Sequence, residues 1–342
     1  MKLGIQIEWA GTQVDVPVEK IRLAESLGFD SVWSGEAYGS DALTPLAFIA
    51  AQTQRIKLGT SIAQVSARPP TAAAMAFATL DQLAGSDRAI CGLGLSGPQV
   101  VEGWYGQAWD KPRARLRDYV AIMKQVLHRQ GPLNYQGEAI AVPLPTEFGK
   151  PLKSILHTNP ALPIYLATGS RAMVELTAEI ADGWIPFGFD PDSMQQYRPW
   201  LEAGFARAGG QRCIDDLAIQ APIVTGYGDD VQAEIDKQKP MTAFYVGGMG
   251  HAKKNFHKDR MVRAGFAEAA DDIQQLFLAG RRDEAIAAVP DEYIDNSALL
   301  GPKARIREKL QRWESSGVTG LTLTFASDEM MRIVAEYFDT IP

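Results

Sequence analysis

The chain has 342 residues, 46% hydrophobic and 22% charged, a balance that suits a globular protein with a large core and excludes disordered and collagen-like classes. Lys and Arg number 34 against 41 Asp and Glu, a formal net charge of −7, and the basic clusters are short, so nucleic acid is not an expected partner. Two distant cysteines (Cys91, Cys213), no apolar leader after Met1 and no run near the ~18 residues of a membrane span predict a cytoplasmic protein.

Along the chain, short apolar runs rich in β-branched residues alternate with segments of helical period, the pattern of repeated βα units. The runs are Leu3–Glu8, Ser31–Ser34, Lys57–Ile62, Arg88–Leu95, Pro163–Ala167, Gly183–Pro186, Ala218–Val224 and Gly320–Thr324. Between them lie VEKIRLAESLG, started by Pro17 and stopped by Gly28, then LTPLAFIAAQT, PTAAAMAFATLDQLAG and PRARLRDYVAIMKQVLHRQG. Eight buried parallel strands predict an α/β fold, a (β/α)8 TIM barrel, as one domain over 1–342. Two stretches break the repeat. Residues 131–161 are rich in Pro and Gly and read as an inserted β-hairpin around Tyr135 and Ile140. Residues 240–300 carry FYVGGMGHAKKNFHKDR and further helical pieces before the Pro-started helix PKARIREKLQRWESSG. Insertions in a barrel lie on loops, where function usually sits.

Four places carry candidate chemistry. Gly92-Leu93-Gly94-Leu95-Ser96-Gly97-Pro98 is a formal GxGxxG after a predicted strand, but Pro98 and Gly103 interrupt the helix that a dinucleotide fingerprint requires. Its glycines either loosen a strand end or let the backbone approach a flat ring system. Ala167-Thr168-Gly169-Ser170 leads from a strand into a helix whose first turn could hold a phosphate; a plain N-cap by Ser170 or Thr168 accounts for the same residues. Glu8 and Glu36 stand at predicted strand C-termini, where barrel active sites are built, and Asp41 fits the cap of the following helix. Thr60, Ser61, Ile62 and Gln64 end the third strand in small and polar residues, and Arg68 follows, either solvated as a lone loop Arg usually is or, after an active-face strand, able to hold an anion.

Other chemistries find no support. His128, His157, His251 and His257 form no HExxH and no cysteine joins them at ligand spacing, so no metal site is expected; GxSxG is absent. Trp9, Trp33, Tyr38, Trp104 and Tyr105 are numerous enough to line a pocket, although aromatic residues are more often core.

The segments GFDSVWSGEAYGSDALTPLAFIAA, IKLGTSI with ARPP, AICGLGLSGPQVVEGWYG, YLATGS with ADGWIP, FYVGGMG with KNF, and LLGPKARIREKL, in this order, resemble the luciferase-like oxidoreductases. Within that superfamily the chain is similar to the branch using the deazaflavin coenzyme F420, near methylenetetrahydromethanopterin reductase. The resemblance implies a dimeric barrel with the ring system at its C-terminal mouth. By matching position it puts Glu36 near the deazaflavin headgroup, Thr60 to Ile62 under the ring, Gly94 to Pro98 along the ring and ribityl chain, and Ala167 to Ser170 at the phosphate. It also implies a cis peptide at Ser61-Ile62. The glucose-6-phosphate dehydrogenase branch has Asp-His where this chain has Glu36-Ala37, and Glu where this chain has Gly97. Sugar oxidation by that mechanism is therefore not expected.

The expected function is hydride transfer between the deazaflavin C5 and a small organic substrate, with Glu36 first, Glu8 next and Tyr38 third as proton carriers. The alternatives are an FMN-dependent monooxygenase on the same barrel and a non-catalytic F420 carrier or sensor.

Overall fold

The computed structural model describes residues 1–8, 11–250 and 255–341. Trp9 and His251 lie outside the described residues. The strands are β1 (Lys2–Gln6), β2 (Ser31–Ser34), β3 (Lys57–Thr60), β4 (Ala63–Gln64), β5 (Ala89–Gly94), the hairpin β6 (Tyr135–Gln136) and β7 (Ala141–Val142), β8 (Ile164–Thr168), β9 (Gly183–Pro186), β10 (Ala218–Tyr227), β11 (Ala298–Gly301) and β12 (Gly320–Thr324); each of the eight expected runs overlaps one, and β11 lies outside them. The parallel order β10-β12-β1-β2-β3-β5-β8-β9 closes where β9 pairs with β10, giving a (β/α)8 barrel.

Helices α1 (Val18–Ser26), α2 (Leu43–Ala50), α3 (Pro70–Leu83), α4 (Pro98–Gly103), α5 (Pro112–His128), α6 (Arg171–Ile180) and α7 (Met194–Arg207) follow successive strands. The insertion after β10 carries α8 (Val231–Asp236), α9 (Lys239–Gly247), α10 (Phe256–Arg263), α11 (Ala267–Leu278), α12 (Arg282–Ala287) and α13 (Asp291–Ser297); α14 (Lys303–Glu314) and α15 (Asp328–Tyr337) complete the ring. Gly28 stops α1 in a left-handed conformation (φ +78°), and a Cβ there would lie 1.9 Å from the Thr340 carbonyl oxygen. The chain end docks on that spot, the Thr340 hydroxyl donating to the Leu27 carbonyl at 2.9 Å.

The main core lies between strands and helices, and a smaller one fills the barrel, where Trp33, Ile90 and Ile185 meet Tyr165 and Ile62. Gly59 leaves the space that the Trp33 indole occupies, since a Cβ there would lie 2.4 Å from the ring. The helical insertion has its own core around Ile235, Val246, Met261, Ile273 and Tyr293. The expected hairpin forms, and Asp118 of α5 anchors it by accepting from the Tyr135 hydroxyl (2.9 Å) and the amides of Ala139 and Ile140 (2.7 and 2.9 Å).

Three details depart from the sequence reading. The third run is two strands, because Gly59 faces Ile90 while Ala63 faces Leu93: four residues advance against three, a bulge. A short helix does open at Pro98, since proline is tolerated at the first helical position. The four-residue strand β11 had no periodicity to reveal it, and it pairs with the far half of β10.

Candidate active site

The bulge between β3 and β4 shapes the C-terminal mouth. The Thr60 hydroxyl replaces two ladder bonds there, donating to the Gly92 carbonyl at 2.7 Å and accepting from the Gly92 amide at 3.0 Å. The Ser61-Ile62 peptide is cis. Gly92 permits this approach, because a Cβ on it would lie 1.7 Å from the Thr60 carbonyl oxygen. Ile62 then rests on Gly94 with both residues at the mouth.

Glu36, two residues beyond β2, is 5% exposed. Arg68 meets it fork to fork, Nη1 to Oε1 at 2.7 Å and Nη2 to Oε2 at 2.9 Å. The amides of Gln64 (2.7 Å) and Ala42 (3.0 Å) donate to the same two oxygens. Burial alone would push the Arg68 guanidinium down, but the bonds to Glu36 and its charge hold it above its ordinary value. Arg68 is thus committed to an internal carboxylate. Asp41 caps α2, accepting from the Leu43 and Thr44 amides, both at 2.8 Å; burial pushes its carboxyl up and those amides outweigh it, holding it low. The Tyr105 hydroxyl donates to the Ala37 carbonyl at 2.8 Å, and burial with the Glu36 charge pushes its phenol up.

Gln64 is buried, and its side-chain Nε2 donates to the Ser96 hydroxyl, whose residue has a positive φ of 56°. The Gln64 Oε1 is left as a buried acceptor without a partner. Leu95 leans on the main core, and Gly97 with Pro98 starts α4.

At β8 the Thr168 hydroxyl contacts Thr177 Oγ1 at 2.8 Å, and Ser170 occupies the N-cap of α6 without a side-chain cap bond. Neither hydroxyl caps the helix. A Cβ on Gly169 would come within 3.1 Å of the Phe187 Cβ. Ala167 contributes to the small core inside the barrel. Glu8 lies two residues past β1 and is exposed, and Tyr38 is 52% exposed.

The structure therefore gathers Glu36, Gln64, Arg68 and Ser96 into one network and Thr60 to Ile62 with Gly92 and Gly94 into one surface. Thr168 to Ser170 form a separate corner. Sequence reading missed an aromatic arch: Tyr245 lies 4.4 Å from His257 between ring centroids, and His257 lies 4.8 Å from Phe187. Desolvation, with Arg260 nearby, pushes the His257 imidazole down to about 3. Its only sequence signal was the aromatic content of FYVGGMG, since the register of an insertion against a barrel leaves no period in the chain. Tyr38, whose charge acts on the Tyr245 phenol, packs edge-on to Trp104 at 6.4 Å. Among the described residues no cluster of His, Cys, Asp or Glu could hold a metal ion, and no helix is long and apolar enough to cross a membrane.

Comparison with known proteins follows the same geometry. A protein of Mycobacterium tuberculosis that bears the name coenzyme F420-dependent oxidoreductase is 44% identical over 341 residues, 98% of each chain. The 5,10-methylenetetrahydromethanopterin reductase of Archaeoglobus fulgidus is 26% identical over 310 residues, 87% of this chain and 86% of that one. The solved coenzyme F420 dependent tetrahydromethanopterin reductase of Methanopyrus kandleri superposes with a TM-score of 0.80 at 23% identity, covering 98% of this chain and 97% of that chain. The sequence profile described as luciferase-like monooxygenase matches residues 8–320. With the barrel, its bulged third strand and a match over that length, the chain belongs to the luciferase-like family.

Proposed function

We propose that the protein is a coenzyme F420-dependent oxidoreductase that moves a hydride between the deazaflavin C5 and a small organic substrate. The observation that carries this reading is the 44% identity, over 98% of both chains, to a relative named for that coenzyme. The residues at the mouth fit such a group. The orphaned Gln64 Oε1 is a buried acceptor that a ring N–H would satisfy. Ile62 on the bulge offers an apolar floor, and Gly94 to Pro98 bring backbone beside it. The start of α6, with no side-chain cap, presents amides and a helix dipole to a phosphate, with Ala167 to Ser170 around it.

When bound, the deazaflavin supplies hydride chemistry at carbon. The chain's own residues orient it, exclude water and manage a proton. Glu36 has both oxygens engaged by four donors, so we assign it a positioning role, holding Arg68, Gln64 and the start of α2. Tyr38 and Glu8 face solvent at the mouth and are the available proton carriers.

A homodimer is part of the same proposal. Phe148 and Ile155 on the hairpin insertion are 86% and 92% exposed, and Leu83 on α3 is exposed beside the bond from Gln82 to the His157 carbonyl (2.6 Å).

The family's description as monooxygenases supplies the second reading, reduced FMN with dioxygen. Equilibrium binding of oxidised F420 and FMN side by side separates the two. We expect F420 to bind at least about tenfold tighter, ~1.4 kcal/mol; equal or tighter FMN binding would reject the assignment. Anaerobic turnover of the bound reduced coenzyme by an organic acceptor is expected, and reaction only after oxygen is admitted would favour the monooxygenase. Absence of any turnover would leave a carrier or sensor.

A further inference from the structure

A cavity of about 500 Å³ opens between the loop after β9, the first turns of α7, the helix α10 and the end of α13. It lies beside the mouth but outside the network of Glu36 and Gln64. Its wall contains Arg260, Arg263, Tyr197, Tyr293, Asn296 and Asp190. Gly188, also in the wall, has a positive φ of 69°, and a Cβ there would lie 1.8 Å from the Arg260 Nε. The missing side chain is what gives the guanidinium its place. Arg260 also lies over the Tyr293 ring, 5.4 Å from its centroid.

Among the described residues neither Arg260 nor Arg263 has a carboxylate within 4.0 Å. Burial pushes the Tyr197 phenol up, and both guanidiniums act against that shift, so both fields reach one point in the wall. Two acidic residues border the cavity. Asp192 is paired with Arg312 at 2.7 Å, and Asp190 accepts the Asp192 amide at 3.0 Å. Two guanidiniums without a carboxylate partner, that of Arg263 hydrogen-bonded to the Tyr197 phenol, therefore face one uncompensated carboxylate, with side-chain amides around them. A planar fork beside a stacked ring is the usual protein answer to an oxyanion.

We propose that this cavity recognises an anionic oxygen group, a carboxylate or a phosphate, and that Arg260 and Arg263 hold it. The cavity adjoins the α6 corner: Phe187, which touches the Gly169 position, is followed directly by Gly188 in the cavity wall. Two molecules could bring such a group here, the acidic tail of the coenzyme beyond its phosphate or an acid group on the substrate. Both possibilities rest on the oxidoreductase reading above, but the anion site itself does not.

The test starts with coenzyme-free protein titrated with glutarate and with inorganic phosphate, followed by calorimetry and by the Arg Nε–H signals in NMR. Saturable binding is expected, weakened by at least about fivefold in Arg263→Gln and in Arg260→Gln. Arg263 is exposed, so its substitution leaves the fold intact and keeps the test decisive if Arg260→Gln does not fold. No saturation, or binding indifferent to both arginines, overturns the proposal whatever the coenzyme is. A second arm assigns the source by comparing coenzyme with and without its glutamate tail. If the tail is the ligand, its removal weakens binding about tenfold in the native protein and has no effect in Arg263→Gln. If the substrate is the ligand, tail removal changes nothing and acidic substrates lose kcat/KM in Arg263→Gln while neutral ones keep it. A lack of response in both comparisons also overturns the proposal.

Discussion

The Arg68 guanidinium and the Glu36 carboxylate face each other through two parallel hydrogen bonds of 2.7 and 2.9 Å, with the carboxylate side chain only 3% exposed and the guanidinium 20% exposed. This pair joins the loop after β2 to the segment after β4, and the two backbone amides on Glu36 extend the link into the start of α2. A buried carboxylate left without its cation is costly. Arg68→Met should destabilise the protein by about 3–5 kcal/mol, whereas the double variant Glu36→Gln/Arg68→Met should recover part of that loss. Urea denaturation of the two singles and the double measures the coupling, and strict additivity would show the pair to be incidental. In Glu36→Gln, coenzyme binding should weaken more than the chemical step slows in single turnover. The opposite ratio would return Glu36 to the proton path.

Thr60 replaces two sheet bonds with one hydroxyl. Thr60→Val should leave the Gly92 amide and carbonyl unpaired in a buried setting and cost about 1–3 kcal/mol, while Thr60→Ser, which keeps the oxygen, should cost less. Equal stability for the Val and Ser variants would mean that shape, and not the hydroxyl, holds the bulge.

Gly169→Asp should abolish coenzyme binding in a folded protein. The new side chain would sit within about 3 Å of Phe187 and place a negative charge at the start of α6, where a phosphate is proposed. Unchanged affinity, with native circular dichroism, would remove the α6 corner from the coenzyme site.

The His257 imidazole gives a pH prediction with a definite sign. Its pKa falls from the ordinary 6.5 to about 3 in the folded protein, so the unfolded chain binds more protons between those values. Stability should therefore drop as pH falls from about 6.5 towards 3, by at most ~1.4 kcal/mol per pH unit from this group. His257→Phe keeps an aromatic ring between Phe187 and Tyr245 and removes the titration. The difference in stability between variant and native protein should widen in favour of the variant through that window and stay flat above pH 7. A constant difference from pH 7 to pH 4 would show that the imidazole is not desolvated.

Phe148 and Ile155 are more exposed than a solvated loop requires. The double variant Phe148→Ser/Ile155→Ser should shift the solution mass towards one chain without loss of the barrel, as read by sedimentation and circular dichroism. A native protein of single-chain mass across a wide concentration range would defeat the dimer proposal outright.

The strand and helix order was legible in the chain because a barrel strand buried on both faces is built from apolar and small residues without charge, and Ser31–Ser34, Gly183–Pro186 and Gly320–Thr324 are strands over the residues that the sequence marked. The hairpin was legible for a related reason: turn residues at Gly137 interrupt two short alternating runs. What the chain alone concealed depended on partners distant in sequence. Nothing around Arg68 distinguishes a cation reserved for a ligand from one committed to Glu36, thirty-two positions away. The bulge at Thr60 exists only in relation to Gly92 on the next strand, and the arch of Phe187, Tyr245 and His257 only because an insertion folds back over the mouth. Local pattern fixes which residues must be buried, since that follows from hydrophobic periodicity. Which polar groups meet is decided by packing, because a hydrogen bond of less than 3 Å depends on a three-dimensional fit that sequence spacing does not encode.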